Sequence, residues 1–174
     1  MTATESLAAS ALSLDELRAV VEHYAEEVRE GLHPVELGYG ERWHERIHQD
    51  ENVDVWLITW TTEQGTELHD HGGSSGAFTV VDGSVTEYVW SGGIQDAPGA
   101  LTNNMRDKDS TVVFGPHYVH DVRNHANAPA VSVHAYSPPL RKMNYYDVAD
   151  DSLLHWSSNW TDDPEAPSPE RVAS

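Results

Sequence analysis

The hydrophobic pattern changes period once along the chain. Leu17, Val21, Tyr24 and Val28 recur at helical spacing. Ahead of them, Ser13-Leu14-Asp15-Glu16 fits a capping box, in which Ser13 and Glu16 satisfy the free donors of a helix start. Gly31 and Pro34 close the element. The spacing predicts one N-terminal amphipathic helix covering an edge or end of something else. From about residue 43 the period shortens. Val53 to Trp60 is rich in branched and aromatic residues, as a buried strand would be. Residues 77–90 hold Asp82-Gly83 between two apolar runs, which predicts a hairpin. Thr111 to Phe114, Val119 to Arg123 and Ala130 to Tyr136 read as further short strands. Many short strands with Gly and Pro turns predict a mainly β sandwich or barrel.

The segments without such a pattern set the limits of the domain. Residues 1–12 are small and polar and read as a flexible tail, and residues 91–99 read as a loop. Residues 13–160 are expected to form a single domain. Residues 161–174 are Pro-rich and acidic and are expected to be disordered.

Composition narrows the function classes. The 174 residues suffice for one domain with a sizeable core. A formal net charge of −19 argues against nucleic acid and anionic membranes as partners, since phosphates would be repelled. With no cysteine, disulfides, thiolate nucleophiles and Cys-ligated zinc are excluded. No apolar run reaches membrane-spanning length, and the start lacks the basic segment of a secretory signal. A cytoplasmic protein is expected. Eleven histidines bring metal chemistry into view.

Residues two apart share one face of a strand. In His69-Asp70-His71 the two imidazoles point together and Asp70 points away. A metal held there needs a third ligand from another strand, and His120 is the best candidate. In Val131-Ser132-Val133-His134-Ala135-Tyr136, the residues Ser132, His134 and Tyr136 share a face. Facing a cavity, they can form a hydrogen-bonded relay; facing solvent, they are ordinary surface groups, and the period is compatible with both. His44, His48, His117, His125 and His155 show no comparable constellation.

The motifs together carry a resemblance. HDH, an apolar stretch through Gly83, and Pro116-x-x-x-His120-x-x-x-Asn124 resemble the two motifs of the cupin superfamily. The glutamate usual after the first histidine pair is missing, because Ser74, Ser75 and Gly76 occupy that region. HDHGGSSGAFTVVDGSVTE, His120 to Asn124, and above all SVHAYSPP are similar to the cysteine dioxygenase family of thiol dioxygenases, in its bacterial form. The likeness runs from about Arg42 to Pro139.

The resemblance implies a cupin jelly-roll β-barrel (a double-stranded β-helix) and a set of roles. His69, His71 and His120 would bind Fe(II). Arg46 would hold the substrate carboxylate. Ser132, His134 and Tyr136 would form the family's catalytic relay, with Tyr136 also touching substrate. Gly76 stands where animal members carry a cysteine cross-linked to the tyrosine, so Tyr136 is expected to be unmodified. His44 stands where they have a tyrosine and is a second candidate at the carboxylate end. The implied reaction joins L-cysteine and dioxygen to give cysteine sulfinic acid, in a monomer. Two rivals are 3-mercaptopropionate dioxygenase, which commonly has glutamine at the arginine position, and a non-catalytic cupin binding a metal or small ligand.

Overall fold

Helix α1 (Leu14–Arg29) begins at the expected capping box in the computed structural model, which describes residues 11–92 and 98–171. Ser13 Oγ accepts from the Glu16 backbone N–H at 3.3 Å, and Glu16 Oε2 accepts from the Ser13 N–H at 2.7 Å. Gly31 leaves the helix at φ 76°, a conformation glycine adopts without strain. The buried stripe is Leu17, Val21, Ala25 and Val28, with Tyr24 partly buried beside it. Helix α1 is neither long nor apolar enough to cross a membrane.

Among the described residues eleven strands follow: β1 (His44–Gln49), β2 (Asp54–Trp60), β3 (His69–Asp70), β4 (Ser75–Asp82), β5 (Ser84–Ser91), β6 (Ala100–Asp107), β7 (Thr111–Phe114), β8 (His120–Arg123), β9 (Ala130–Ser137), β10 (Met143–Ala149) and β11 (Ser152–Asn159). They form two antiparallel sheets. One orders its strands β1-β2-β9-β4-β7, the other β11-β10-β3-β8-β5-β6. The fold is mainly β, as expected. Residues 1–10 of the expected tail and 93–97 of the expected loop lie outside the described residues.

Strand β2 is buried along its whole length because its two faces serve two cores. Trp56, Ile58 and Trp60 point between the sheets, among Phe78, Val122 and Tyr145. Val55 and Leu57 point outward and pack with Ala77, Val133 and Ala135 under α1. Burying a side chain such as Leu17 or Val21 there contributes about 1.5–3 kcal/mol. The helix thus covers the outer face of one sheet and leaves the space between the sheets to a site.

The hairpin expected at Asp82-Gly83 does not form. Strand β4 pairs with β7 and β9, whereas β5 pairs with β6 and β8 in the other sheet. The turn is a corner that carries the chain from one sheet to the other. Gly83 takes φ 72°, and a Cβ there would lie 2.5 Å from the Pro129 carbonyl oxygen. Turn chemistry specified a reversal, but burial decided the partners. Strand β4 is buried on both faces and needs a neighbour on each side within a covered sheet.

Strands β1, β6, β10 and β11 were not evident from the sequence. Strand β1 is only partly buried and β6 is largely exposed, so neither shows apolar alternation. The end of the chain also departs from expectation. Residues 161–171 do not trail away as a disordered tail. The Thr161 N–H donates to the Arg141 carbonyl at 3.1 Å, and Pro164 and Glu165 line the cavity between the sheets.

Candidate metal centre

Strands β3 and β8 bring three imidazoles to one point. His69 and His120 are direct partners across the β3–β8 pair, and His71 follows two residues after His69. One ring nitrogen from each lies within 4.8 Å of the other two. All three side chains are buried. Asp70 points away, as expected from the strand period. Its carboxylate accepts from the Tyr146 hydroxyl at 2.6 Å and from Asn144 Nδ2 at 2.7 Å.

The ring orientations suit a metal. His69 Nδ1 donates to the Glu67 carbonyl at 2.6 Å, and His120 Nδ1 donates to Glu87 Oε1 at 2.9 Å. Each bond fixes the proton on Nδ1 and leaves the Nε2 lone pair free. His71 Nε2 is buried without a hydrogen-bond partner. Such an orphan is costly unless something binds it. Burial, aided by the neighbouring imidazole of His120, depresses the His69 pKa to about 3. Burial also holds His71 well below the usual range. Three imidazoles whose ring nitrogens converge form a donor set for a divalent transition metal.

Glu87 is a site residue that the sequence reading passed over. It is fully buried on β5 and receives Arg106 Nη2 at 2.7 Å and the Tyr118 hydroxyl at 2.9 Å, besides His120. Burial works to raise its pKa, but these partners, His120 first, outweigh it and lower the value. The available signal was an acid two residues after Val85, on the buried side of the strand.

The space above the histidines is narrow. A cavity of ≈ 200 Å³ opens beside His69, lined by Arg42, Gly65, Met143, Tyr145 and Glu165 among others. A recess of ≈ 10 Å³ reaches Trp60, His120, His134 and Tyr136 and is closed by Pro164 and Glu165. Arg42 lies over the Trp60 ring at 5.1 Å, donates to the Gly65 carbonyl, and is ion-paired with Glu165. Arg46 and His44, the expected carboxylate holders, line neither space. Arg46 stacks on Trp56 at 4.5 Å and pairs with Asp162, and His44 pairs with Asp163. Arg42, His44 and Arg46 alternate two apart, so sequence period does not distinguish them. The cavity lies at the Arg42 end.

Ser132, His134 and Tyr136 face the space between the sheets, not solvent, and are buried. Trp60 Nε1 donates to Ser132 Oγ at 2.8 Å, and Ser132 Oγ is bonded to His134 Nε2 at 2.8 Å. The third link of the expected relay is not made. Among the described residues no hydrogen bond joins His134 to Tyr136, and the His134 ring stacks on Phe78 at 5.1 Å. Burial raises the Tyr136 pKa well above the usual range and depresses that of His134 to about 3. The Tyr136 ring lies 4.7 Å from that of His71. Gly76 is the β-partner of Tyr136 on β4, and a Cβ there would meet the Phe114 ring at 2.5 Å.

The two antiparallel sheets form the double-stranded β-helix of a cupin fold, and three histidines placed to hold a metal lie between them. The family described as cysteine dioxygenase type I matches residues 3–149, and the chain belongs to that family. Cysteine dioxygenase type 1 of Rattus norvegicus is 24% identical over 161 residues, covering 82% of this chain and 74% of that protein. The Homo sapiens protein of the same name is 22% identical over 150 residues, covering 78% and 70%. Among solved structures, KdgF from Halomonas sp. is similar in fold, with a TM-score of 0.50 and 10% identity, over 62% of this chain and 88% of that one.

Proposed function

We propose that this protein is a non-haem Fe(II) thiol dioxygenase that oxidises L-cysteine with dioxygen to cysteine sulfinic acid. The observation that carries this reading is the cluster of His69, His71 and His120, with no carboxylate among the three. Two adjoining spaces open on it: one is lined by His69 and Arg42, the other by His69, His120 and the buried phenol of Tyr136. His69, His71 and His120 would hold the iron, which would supply the redox chemistry that lets dioxygen react with a thiolate.

The chain's own residues do the rest. His69 and His71 stay neutral because they are buried, so they remain ligands rather than cations. Arg42, not Arg46, is the residue placed to clamp the substrate carboxylate, with the fork geometry of a guanidinium. Tyr136 stays protonated because it is buried, and so acts as a hydrogen-bond donor to the bound reactants. Ser132, held by Trp60, fixes the His134 ring next to it. Holding both reactants at one point removes much of the entropic barrier to their combination.

Anaerobic reconstitution with Fe(II), followed by oxygen uptake and product mass with cysteine, 3-mercaptopropionate and cysteamine, tests the reading. Cysteine-dependent uptake with a product two oxygens heavier is expected. Faster turnover of 3-mercaptopropionate would reassign the substrate. No thiol-dependent uptake by the iron-loaded protein would favour a metal-binding cupin without catalysis.

A further inference from the structure

The segment after β11 is fastened over the cavity by two arginine–carboxylate ion pairs and a histidine–carboxylate contact. Arg42 pairs with Glu165, His44 Nε2 with Asp163 Oδ2 at 3.2 Å, and Arg46 Nη2 with Asp162 Oδ2 at 2.9 Å. The three basic residues lie two apart, Arg42 just before β1 and His44 and Arg46 within it, and the three acids meet them in reverse order. The chain has 29 acidic residues and only 10 lysines and arginines, so cations are scarce. Two of the arginines hold this strap. The turn is also self-supporting, since Asp163 Oδ1 accepts from the Glu165 N–H at 2.8 Å.

Glu165 differs from the other two acids in being inside. Its side chain is 4% exposed, whereas those of Asp162 and Asp163 are 67% and 36% exposed. It lines both the cavity beside His69 and the recess at Tyr136. Burial raises its pKa against the opposing pull of Arg42, the one hydrogen-bonded partner of its carboxylate among the described residues, and of His44 nearby. The recess it closes, ≈ 10 Å³, holds roughly one water molecule. A thiol whose atoms reach Tyr136 therefore requires Pro164 and Glu165 to move.

We propose that Glu165 is a specificity-determining residue: its carboxylate occupies the seat on Arg42 that the substrate's own carboxylate takes. This rests on the thiol dioxygenase reading. A thiol bearing a carboxylate exchanges one carboxylate for another, and Arg42 stays paired throughout. A thiol without one must expel Glu165 and leave a largely buried guanidinium with no carboxylate partner, which is penalised. Discrimination thus comes from a penalty against the wrong ligand as well as from contacts to the right one. The same closure reduces apparent affinity for the right ligand by the fraction of time that the strap is open.

The test uses the full-length, Fe(II)-loaded protein. Under anaerobic conditions, hydrogen exchange of residues 161–168 is followed with 3-mercaptopropionate and with cysteamine. Exchange faster by about tenfold with 3-mercaptopropionate, and little changed with cysteamine, is expected for a strap that is mostly closed. Equal responses, or none, overturn the proposal. In air, Glu165→Ala and Glu165→Gln should lower KM for the carboxylate thiol by up to about tenfold and narrow its preference over cysteamine. Glu170→Gln, outside the charge set, serves as the control. A raised or unchanged KM in both Glu165 variants overturns the proposal. If no thiol is oxidised, the enzyme reading fails; if thiols are oxidised without selective strap opening, only this inference fails.

Discussion

Glu87 Oε1 accepts the Nδ1 proton of His120 at 2.9 Å, linking a buried carboxylate on β5 to a metal ligand on β8. The bond fixes which nitrogen faces the metal and makes it more basic. Glu87→Gln keeps the size but removes the charge that Arg106 and Tyr118 also address. Metal affinity should fall about 10- to 100-fold. Competition against a chelator measures it, and an unchanged affinity would leave Glu87 with a purely structural role.

Arg42 and Arg46 make opposite predictions although they lie four residues apart. Arg42→Ala should raise KM for a carboxylate thiol by about 10- to 100-fold, the worth of a charged hydrogen-bonded pair, with iron content unchanged. Arg46→Ala should change KM far less, since Arg46 sits on Trp56 and Asp162 outside the cavity. Steady-state kinetics of both variants, with metal analysis, decide between them.

Gly76 has no room for a side chain. A Cβ would lie 2.5 Å from Phe114 Cζ, and the Phe114 ring stacks on that of His71 at 5.1 Å. Gly76→Ala should destabilise the protein by about 1–3 kcal/mol, in the range of core overpacking, and weaken metal binding through His71. Denaturant unfolding of metal-free protein and a metal titration separate the two effects. Gly76→Cys meets the same obstacle, so a cross-link to Tyr136 is not expected to form without displacing Phe114.

Asp54 gives a pH dependence with a definite sign. Burial lifts its pKa from 3.8 to about 6, against the opposing hydrogen bond from Trp56 Nε1 at 3.1 Å. The folded state therefore binds a proton more tightly than the unfolded state. Its stabilising share is complete below the unfolded value and is lost as pH rises through about 6. Above that, the protein carries a buried charge costing about 3 kcal/mol relative to acid. Asp54→Asn should melt about 5 °C or more above the wild type at pH 8, and the gap should close towards pH 4. Thermal melts of both proteins across that range give the difference profile, and a gap independent of pH would remove Asp54 as its source.

Much of the metal centre was legible because it depends on local rules. The capping box from Ser13 to Glu16, the stripe on α1 and the shared face of His69 and His71 follow from helix and strand periods. The direction of Asp70 follows from the same alternation. The joining of His120 to the pair was also within reach, as the one histidine in a matching motif on another extended segment. Glu87 was not singled out, because an acid in a strand is normally a solvated residue until the opposing strand is known.

By itself the sequence determined the N-terminal helix, the shared face of His69 and His71 with His120 as their candidate partner, and the shared face of Ser132, His134 and Tyr136, since backbone period and residue chemistry act within a few residues. Tertiary structure alone decided that β4 and β5 part company at Gly83, that Arg42 rather than Arg46 reaches the cavity, and that Glu165 returns from the end of the chain to meet it. Those outcomes depend on which surfaces can be buried together. A side chain's period states which way it faces, but only the closed barrel decides what it faces.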